Sequence, residues 1–316
     1  MRRWLWGLLA LAGLAAALRL LTRYPWAQTL AALVAMRVPL LLEALAVNLL
    51  SPLAKGWAWH LLLRPVAPHG WRAAQEANLV GTAVNSISVG VTGEAARVSL
   101  LARLADVPVR TTALSVVLTR VVEAIGLALF LVLAPLLLPL PAALRGLQFG
   151  AAAALATVFA LSRFRRWARV IARLPRALRG PAAELARMSV GTRLLAPALL
   201  ALANWLIQWA TYALVLRAAG LDLSVGASLT ALLAVNLGGI GRLTPANLGV
   251  TQAAVVGALL PFGVGPERAV AAGLALQAIQ VLPILGLAVA LVGWSGVRGL
   301  MIRKGGDEGV GMDAAA

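Results

Sequence analysis

Two short motifs pair an acidic residue with an arginine three positions away. Glu94 precedes Arg97 just after a glycine-bearing break, and Arg120 precedes Glu123 within an apolar run. Residues three apart share one face of a helix. Because a guanidinium binds phosphate through two parallel hydrogen bonds, Arg97 and Arg120 are candidate phosphate-binding residues. The spacing also fits two local ion pairs that only hold helices together, and both interpretations stay open.

The first motif follows a polar break in an otherwise apolar chain. This break, residues 85–93, runs from Asn85 to Gly93, and Glu94 then begins a short helix whose N-terminal dipole favours an acid. A second break covers residues 238–249. The polar side chains in or beside it are Asn236, Arg242, Asn247 and Gln252, and Pro245 and Gly249 shape its turn. Irregular backbone at membrane depth needs surrounding protein or a wet cavity, so both breaks are candidate sites.

The composition is that of a polytopic membrane protein. Of the 316 residues, 61% are hydrophobic and only 12% are charged, with a mean hydropathy of +0.89. The net charge of +17 comes mainly from arginines in short loops between apolar segments, where topology signals belong. We therefore expect no nucleic-acid partner.

Six segments are long enough to span a bilayer, which takes roughly 20 apolar residues. They are residues 4–21, 27–52, 111–134, 146–162, 194–218 and 267–293. Two further regions, 73–104 and 223–262, are each interrupted by a break and followed by an arm too short to cross. The prediction is an all-α polytopic membrane protein with about six full spans and two opposed re-entrant helical hairpins, arranged like an inverted repeat.

The positive-inside rule supports this topology. With the N-terminus inside, 20 of the 28 basic residues lie on the inner side and 4 on the outer side. We therefore predict a multi-pass protein of the plasma membrane with both termini in the cytoplasm. Residues 1–304 form a single transmembrane domain, whose halves 1–162 and 194–304 flank a basic cytoplasmic loop, 163–193. Residues 305–316 are predicted to be a disordered tail.

The basic loop 163–193 allows two interpretations. It could form an amphipathic helix that binds the anionic inner leaflet. It could also act only as a topology determinant.

Little else in the sequence could perform chemistry. The chain has no cysteine and two histidines, and it lacks a nucleotide-binding loop and a serine-nucleophile motif. The sequence predicts no metal site and no cofactor. An enzymatic role would need a catalytic acid, for which only Glu94 and Glu123 qualify, so we expect that the protein is not an enzyme.

The motifs together resemble the lysylphosphatidylglycerol synthase transmembrane, or flippase-like, family. The resemblance rests on Asn85, Gly93-Glu94 with Arg97, and Thr119-Arg120 with Glu123. It also rests on Pro245-Ala-Asn-Leu-Gly249-Val-Thr-Gln252 and on Asn48 with Trp57, and it extends over about residues 40–295. Three positions depart from the family pattern, since Thr119 and Gln252 each replace a Glu and Glu123 replaces an Asp.

The resemblance implies lipid translocation, as in the flippase half of multiple peptide resistance factors. The expected ligand is a membrane phospholipid or a polyprenyl-linked lipid, and the side chains named above would bind its headgroup. The competing hypothesis is an accessory membrane protein that presents lipid-linked precursors to a partner enzyme. Assembly as a homo-oligomer is left open.

Overall fold

The described part of the chain is helical throughout. The structure, a computed structural model, describes residues 24–89, 92–137, 142–162, 173–189, 191–239 and 244–309, and within these ranges it contains no strand. The helices are α1 (Trp26–Val34), α2 (Val38–Leu63), α3 (Trp71–Ile87), α4 (Thr92–Ala105), α5 (Val109–Leu137), α6 (Ala142–Ser162), α7 (Arg176–Ser189), α8 (Leu195–Ala218), α9 (Val225–Gly238), α10 (Val250–Leu259) and α11 (Pro266–Gly309).

An antiparallel pair, α2 and α8, lies at the centre of the bundle. The backbone N–H of Arg37, just before α2, donates to the carbonyl of Ala218, the last residue of α8. Further along the pair, the Ser51 hydroxyl donates to the amide oxygen of Asn204 at 2.7 Å. The two ends of the bundle are called below the Ala218 end and the Leu63 end.

A first helical hairpin, α3 with α4, enters from the Leu63 end. Ala67 before it and Val107 after it are buried in one apolar cluster with Leu63 and with Met188 of α7. The arm α3 ends at Ile87 and α4 begins at Thr92, both away from that cluster. Both open ends of the hairpin are therefore at the same end of the bundle.

A second helical hairpin, α9 with α10, enters from the opposite end. Leu221 before it and Val264 after it belong to one buried cluster with Leu216 of α8. The Arg268 guanidinium, near the start of α11, donates to the carbonyl of Gly220 at 3.0 Å. The open ends of this hairpin are therefore at the Ala218 end, and the described part of its break, Gly239 and residues 244–249, contributes to a cavity inside the bundle.

The same order of elements occurs twice, in opposite directions. The first set is α2, the first hairpin and α5, and the second set is α8, the second hairpin and α11. An inverted repeat produces this order. The repeat itself, and the position of the hairpins relative to a bilayer, stay predictions.

Five segments of the described chain are long and apolar enough to cross a membrane: Val38–Leu63, Val109–Ala134, Thr192–Ala218, Pro245–Phe262 and Pro266–Gly293. They confirm the predicted segments 111–134, 194–218 and 267–293. The segment Pro245–Phe262 reaches this length only by joining α10, of 10 residues, to the 3-10 turns on either side. The predicted segment 146–162 lies within α6, which is not among the five, and 4–21 lies outside the described residues.

The predicted span 27–52 is wrong in its bounds. The structure has the short helix α1, a break at residues 35–37, and a new helix that runs from Val38 to Leu63. Pro39 explains the break, since it lacks an N–H and is tolerated in the first turn of a helix but not in its interior. The positions assigned to two basic residues change as a result. Arg37 precedes the helix at the Ala218 end, and Lys55 lies inside the helix rather than in a loop.

Part of the basic loop 163–193 is helical. Within it, α7 has its arginines Arg176, Arg179 and Arg187 exposed, while Met188 is buried in the bundle. At the other end of the chain, α11 continues to Gly309, so residues 305–309 of the predicted disordered tail are helical. The rest of that tail lies outside the described residues.

Candidate functional site

The breaks of the two hairpins meet at one cavity of about 670 Å³. The first hairpin contributes Asn85 and Glu94 to its lining, and the second contributes Asn236 and Asn247. The central helices α2 and α8 and the helices α5 and α11 complete the wall. Two segments more than 140 positions apart in sequence therefore face the same space.

Glycines allow the arms of the first hairpin to pack closely. A Cβ at Gly81 would lie 2.6 Å from the Cβ of Arg97 and 2.8 Å from the carbonyl oxygen of Gly93. Both distances are well inside van der Waals contact, so a side chain at Gly81 would force the arms apart. At the turn, the Gly93 N–H donates to the amide oxygen of Asn85 at 2.9 Å. Asn85 thus holds the start of α4 against the end of α3.

A three-residue ion-pair network lies beside this turn. Arg120 of α5 donates to Glu123 on the same helix at 2.8 Å and also forms a salt bridge with Glu94 of α4. The predicted Arg120–Glu123 pair is confirmed, and Glu94 makes its salt bridge across to the neighbouring helix. The side chain of Arg120 is 48% exposed although it sits in an apolar spanning helix, whereas those of Glu94 and Glu123 are 17% and 21% exposed. Arg120 therefore reaches open space between the helices.

Arg97 is held differently from Arg120. It is 9% exposed, donates to the amide oxygen of Asn78 at 3.1 Å, and places its guanidinium 4.5 Å from the ring centre of Trp59. Trp59 is itself fixed by donating to the Ser115 hydroxyl at 2.8 Å. The cation–π contact and the amide orient the Arg97 guanidinium at the cavity wall.

Amide groups hold the break of the second hairpin. The side-chain oxygen of Gln252 accepts from the Gly249 N–H at 2.8 Å, and its nitrogen donates to Gln277 at 2.6 Å. Gln277 in turn donates to the carbonyl of Ala246 at 2.5 Å. These bonds fix a turn in which Ala246, Asn247 and Gly249 all have positive φ. Ala246 and Asn247 hold this left-handed conformation without the freedom of glycine.

The cavity collects most of the residues predicted to form a site. Seven of the candidates line it: Asn85, Glu94, Arg97, Arg120, Glu123, Asn236 and Asn247. Gln252 does not line the cavity, and its contacts instead fix the backbone beside it. Arg242 lies outside the described residues. Gly93 lines the cavity as well, while Pro245 begins a 3-10 turn at the second break and Gly249 has a positive φ there.

The sequence interpretation missed Lys55, which lines the cavity together with Glu123. A signal was available, since Asn48, Ser51 and Lys55 recur at spacings of three and four within an apolar helix and so share one face. The same polar spacing marks Asn204, Gln208 and Tyr212 on α8, and Gln277 and Gln280 on α11. All of these residues line the cavity.

This chemistry suits an anion that also offers hydrogen-bonding groups. Among the described residues, the lining contains three cationic side chains, Lys55, Arg97 and Arg120, and two acids, Glu94 and Glu123. Guanidinium and ammonium groups are the usual phosphate contacts in proteins. Within the described residues, no three His, Cys, Asp or Glu side chains come together in a way that could hold a metal ion.

The comparison with known families agrees with this arrangement. The family described as lysylphosphatidylglycerol synthase TM region matches residues 4–288, which is nearly the whole chain. No curated protein matches the chain. The matched range contains both hairpins and every described residue that lines the cavity. The chain therefore belongs to the lysylphosphatidylglycerol synthase transmembrane family.

Proposed function

We propose that this protein is a lipid flippase that moves anionic or lipid-linked headgroups between leaflets. The headgroup would occupy the cavity while the acyl chains stay in the bilayer. One observation carries the proposal: the breaks of two hairpins that enter from opposite ends of the bundle line the same polar cavity. A site bounded by two opposed hairpins can be opened toward one side or the other by moving either of them.

Helix lengths support re-entrant hairpins. The arms α3 and α4 have 17 and 14 residues, so they are about 26 and 21 Å long. The arms α9 and α10 have 14 and 10 residues, or about 21 and 15 Å. All four are shorter than a hydrocarbon core of about 30 Å. Each hairpin would therefore enter the bilayer and leave it on the same side.

The charges of the cavity support an anionic headgroup. A phosphate would compete for Arg120, which is half exposed and already shared between two carboxylates. Lys55 and Arg97 add positive charge at the wall, so the cavity attracts an anion even while Glu94 and Glu123 are ionised.

The membrane placement follows from the basic residues. We assign the protein to the plasma membrane, with the Leu63 end of the bundle and both termini facing the cytoplasm. The exposed arginines of α7 would then contact anionic lipid of the inner leaflet, while Met188 anchors the helix to the bundle.

A flipping assay tests the function. Purified protein in liposomes should expose acyl-labelled fluorescent phosphatidylglycerol to an impermeant quencher faster than empty liposomes do. We expect Arg120→Ala to slow this by about tenfold or more, because a charge-assisted hydrogen bond contributes roughly 1.5–3 kcal/mol. Arg103→Ala is the matched control, since Arg103 lies on the exposed face of α4 outside the cavity.

Two outcomes would contradict the proposal. Equal flipping by Arg120→Ala and Arg103→Ala would show that the cavity does not handle the headgroup. Lipid binding without any flipping, together with co-purification of an enzyme, would instead favour the accessory role in which the protein presents lipid-linked precursors.

A further inference from the structure

Two of the long helices, α2 and α11, carry a proline in their interior. These are Pro52 in α2 and Pro283 in α11. A proline has no N–H, so it removes the hydrogen bond to the carbonyl four residues earlier, and the helix can bend at that point. The carbonyls concerned are those of Asn48 and Ile279. At membrane depth, a carbonyl released in this way needs a donor from a neighbouring helix.

Asn48 joins the two proline sites, residues 48–52 of α2 and 279–283 of α11. Its side-chain amide donates to the carbonyl of Ile279 at 3.1 Å. This is the carbonyl that loses its intrahelical partner because of Pro283. Asn48 is only 5% exposed, and it also lies four residues before Pro52. The donor for the proline site of α11 therefore comes from the proline site of α2.

The first hairpin is attached to α2 at and beyond Pro52. The side-chain amides of Gln75 and Asn78 on α3 both donate to the carbonyl of Pro52 at 3.1 Å. Further along α2, Trp59 is buried in one apolar cluster with Ala74 of α3. The part of α2 before the proline contributes instead to the apolar cluster that contains residues of α9 and α10. Pro52 thus separates the part of α2 that packs on the first hairpin from the part that packs near the second.

The helix α11 changes its packing partner at Pro283. Before the proline, Gln277 accepts from Gln252 of the second hairpin at 2.6 Å. After the proline, Ile284 is buried in a separate cluster with Leu79 of α3. Pro283 therefore separates a segment that packs on the second hairpin from a segment that packs on the first.

We infer that Pro52 and Pro283 form one hinge for the first hairpin, and that Asn48 is the positioning residue that couples its two halves. The segments of α2 and α11 beyond their prolines both pack on α3, so the first hairpin moves as a unit only when both helices bend together. Movement about this hinge changes the separation of the two breaks and hence the width of the cavity. The inference goes beyond the proposed function, because it concerns how the fold moves and not which molecule it carries.

A double-mutant cycle tests the link between Asn48 and Pro283. Asn48→Ala leaves the Ile279 carbonyl without its donor, and we expect the melting temperature in detergent to fall by about 2–4 °C. Pro283→Ala supplies an N–H within α11 for the same carbonyl, and it should fold because alanine is a good helix former. In the Pro283→Ala background, Asn48→Ala should lower the melting temperature by at most about 1 °C.

Asn236→Ala is the matched control. It also removes a hydrogen bond from an amide to a carbonyl, but this bond joins Asn236 to Leu232 within α9. Its effect should be the same with and without Pro283. An equal loss from Asn48→Ala in both backgrounds would overturn the link, because the amide would then not act through the carbonyl that Pro283 releases.

Spin labels on the two hairpins measure the hinge itself. Ile87→Cys at the end of α3 and Leu237→Cys near the end of α9 are exposed positions, and the chain has no cysteine of its own. We expect Asn48→Ala to broaden the distribution of distances between the labels by about 2 Å or more. The double variant Pro52→Ala/Pro283→Ala should narrow it. Identical distributions in the unmodified protein and both variants would overturn the hinge, whether or not the protein flips lipid.

Discussion

The first hairpin (α3 and α4) and the second hairpin (α9 and α10) have the same construction but different chemistry. Each has two short helical arms and a break that faces the common cavity. The first packs through glycines and carries Glu94 and Arg97, whereas the described part of the second is held by an amide chain through Gln252 and Gln277. In its described residues, one architecture thus supplies ion pairs at the first hairpin and amide hydrogen bonds at the second.

The largest expected difference between the hairpins is in their tolerance of an added methyl group. Gly81→Ala places a Cβ 2.6 Å from that of Arg97, so the arms of the first hairpin must separate. We expect a loss of about 1–3 kcal/mol and a lower melting temperature in detergent. Gly257→Ala in α10 is the matched control, since a Cβ there meets nothing within 4 Å. Equal melting temperatures for the two variants would show that the close packing of α3 on α4 is not required.

The next effect concerns the amide chain of the second hairpin. Gln252→Glu restores the acid that the family pattern has at this position, but a carboxylate cannot donate to the Gln277 oxygen. We expect a loss of about 1–2 kcal/mol, measured by thermal unfolding against Gln28→Glu at an exposed site. A variant as stable as the unmodified protein would mean that Gln277 can rotate to donate, and that the amide chain does not hold the break.

The smallest effect is expected from a hydroxyl at the edge of the second break. Thr244 donates to the carbonyl of Leu248 at 2.8 Å, and this bond is exposed to solvent. Thr244→Val should cost no more than about 1 kcal/mol, because water replaces an exposed hydrogen bond. A loss comparable to that of Gln252→Glu would show that the exposed contact, and not the buried amide chain, fixes the turn.

The sequence predicted the parts of the fold that depend on local pattern. The apolar segments 111–134, 194–218 and 267–293 were recognised because length and hydropathy alone identify them. The bounds of 27–52 were wrong because averaged hydropathy does not register one proline in a favourable apolar run. Lys55 was misplaced by the same error, since moving the helix by eleven residues turned a loop lysine into a cavity residue.

The sequence indicated some residues of the candidate site but not the contacts that these residues make with one another. Polar and charged side chains in or beside the breaks and in α5 indicated seven of the lining residues, but the polar residues that α2, α8 and α11 contribute were not among the candidates. The salt bridge of Glu94 to Arg120 joins two helices, so no local spacing reveals it. The role of Gln252 was equally hidden, because its contact with Gln277 depends on how α10 packs on α11.

Site-specific labelling tests the central claim, that the hairpins enter from opposite sides, most directly. The chain has no cysteine, so single cysteines can be introduced without background. Gly70→Cys and Val109→Cys flank the first hairpin, and Asp222→Cys and Gly265→Cys flank the second; all four positions are exposed. With an impermeant thiol reagent applied to sealed, oriented vesicles, we predict that the first pair reacts only from the cytoplasmic side and the second pair only from the outer side. Reaction of the two members of either pair from opposite sides would contradict the account, because that hairpin would then cross the membrane.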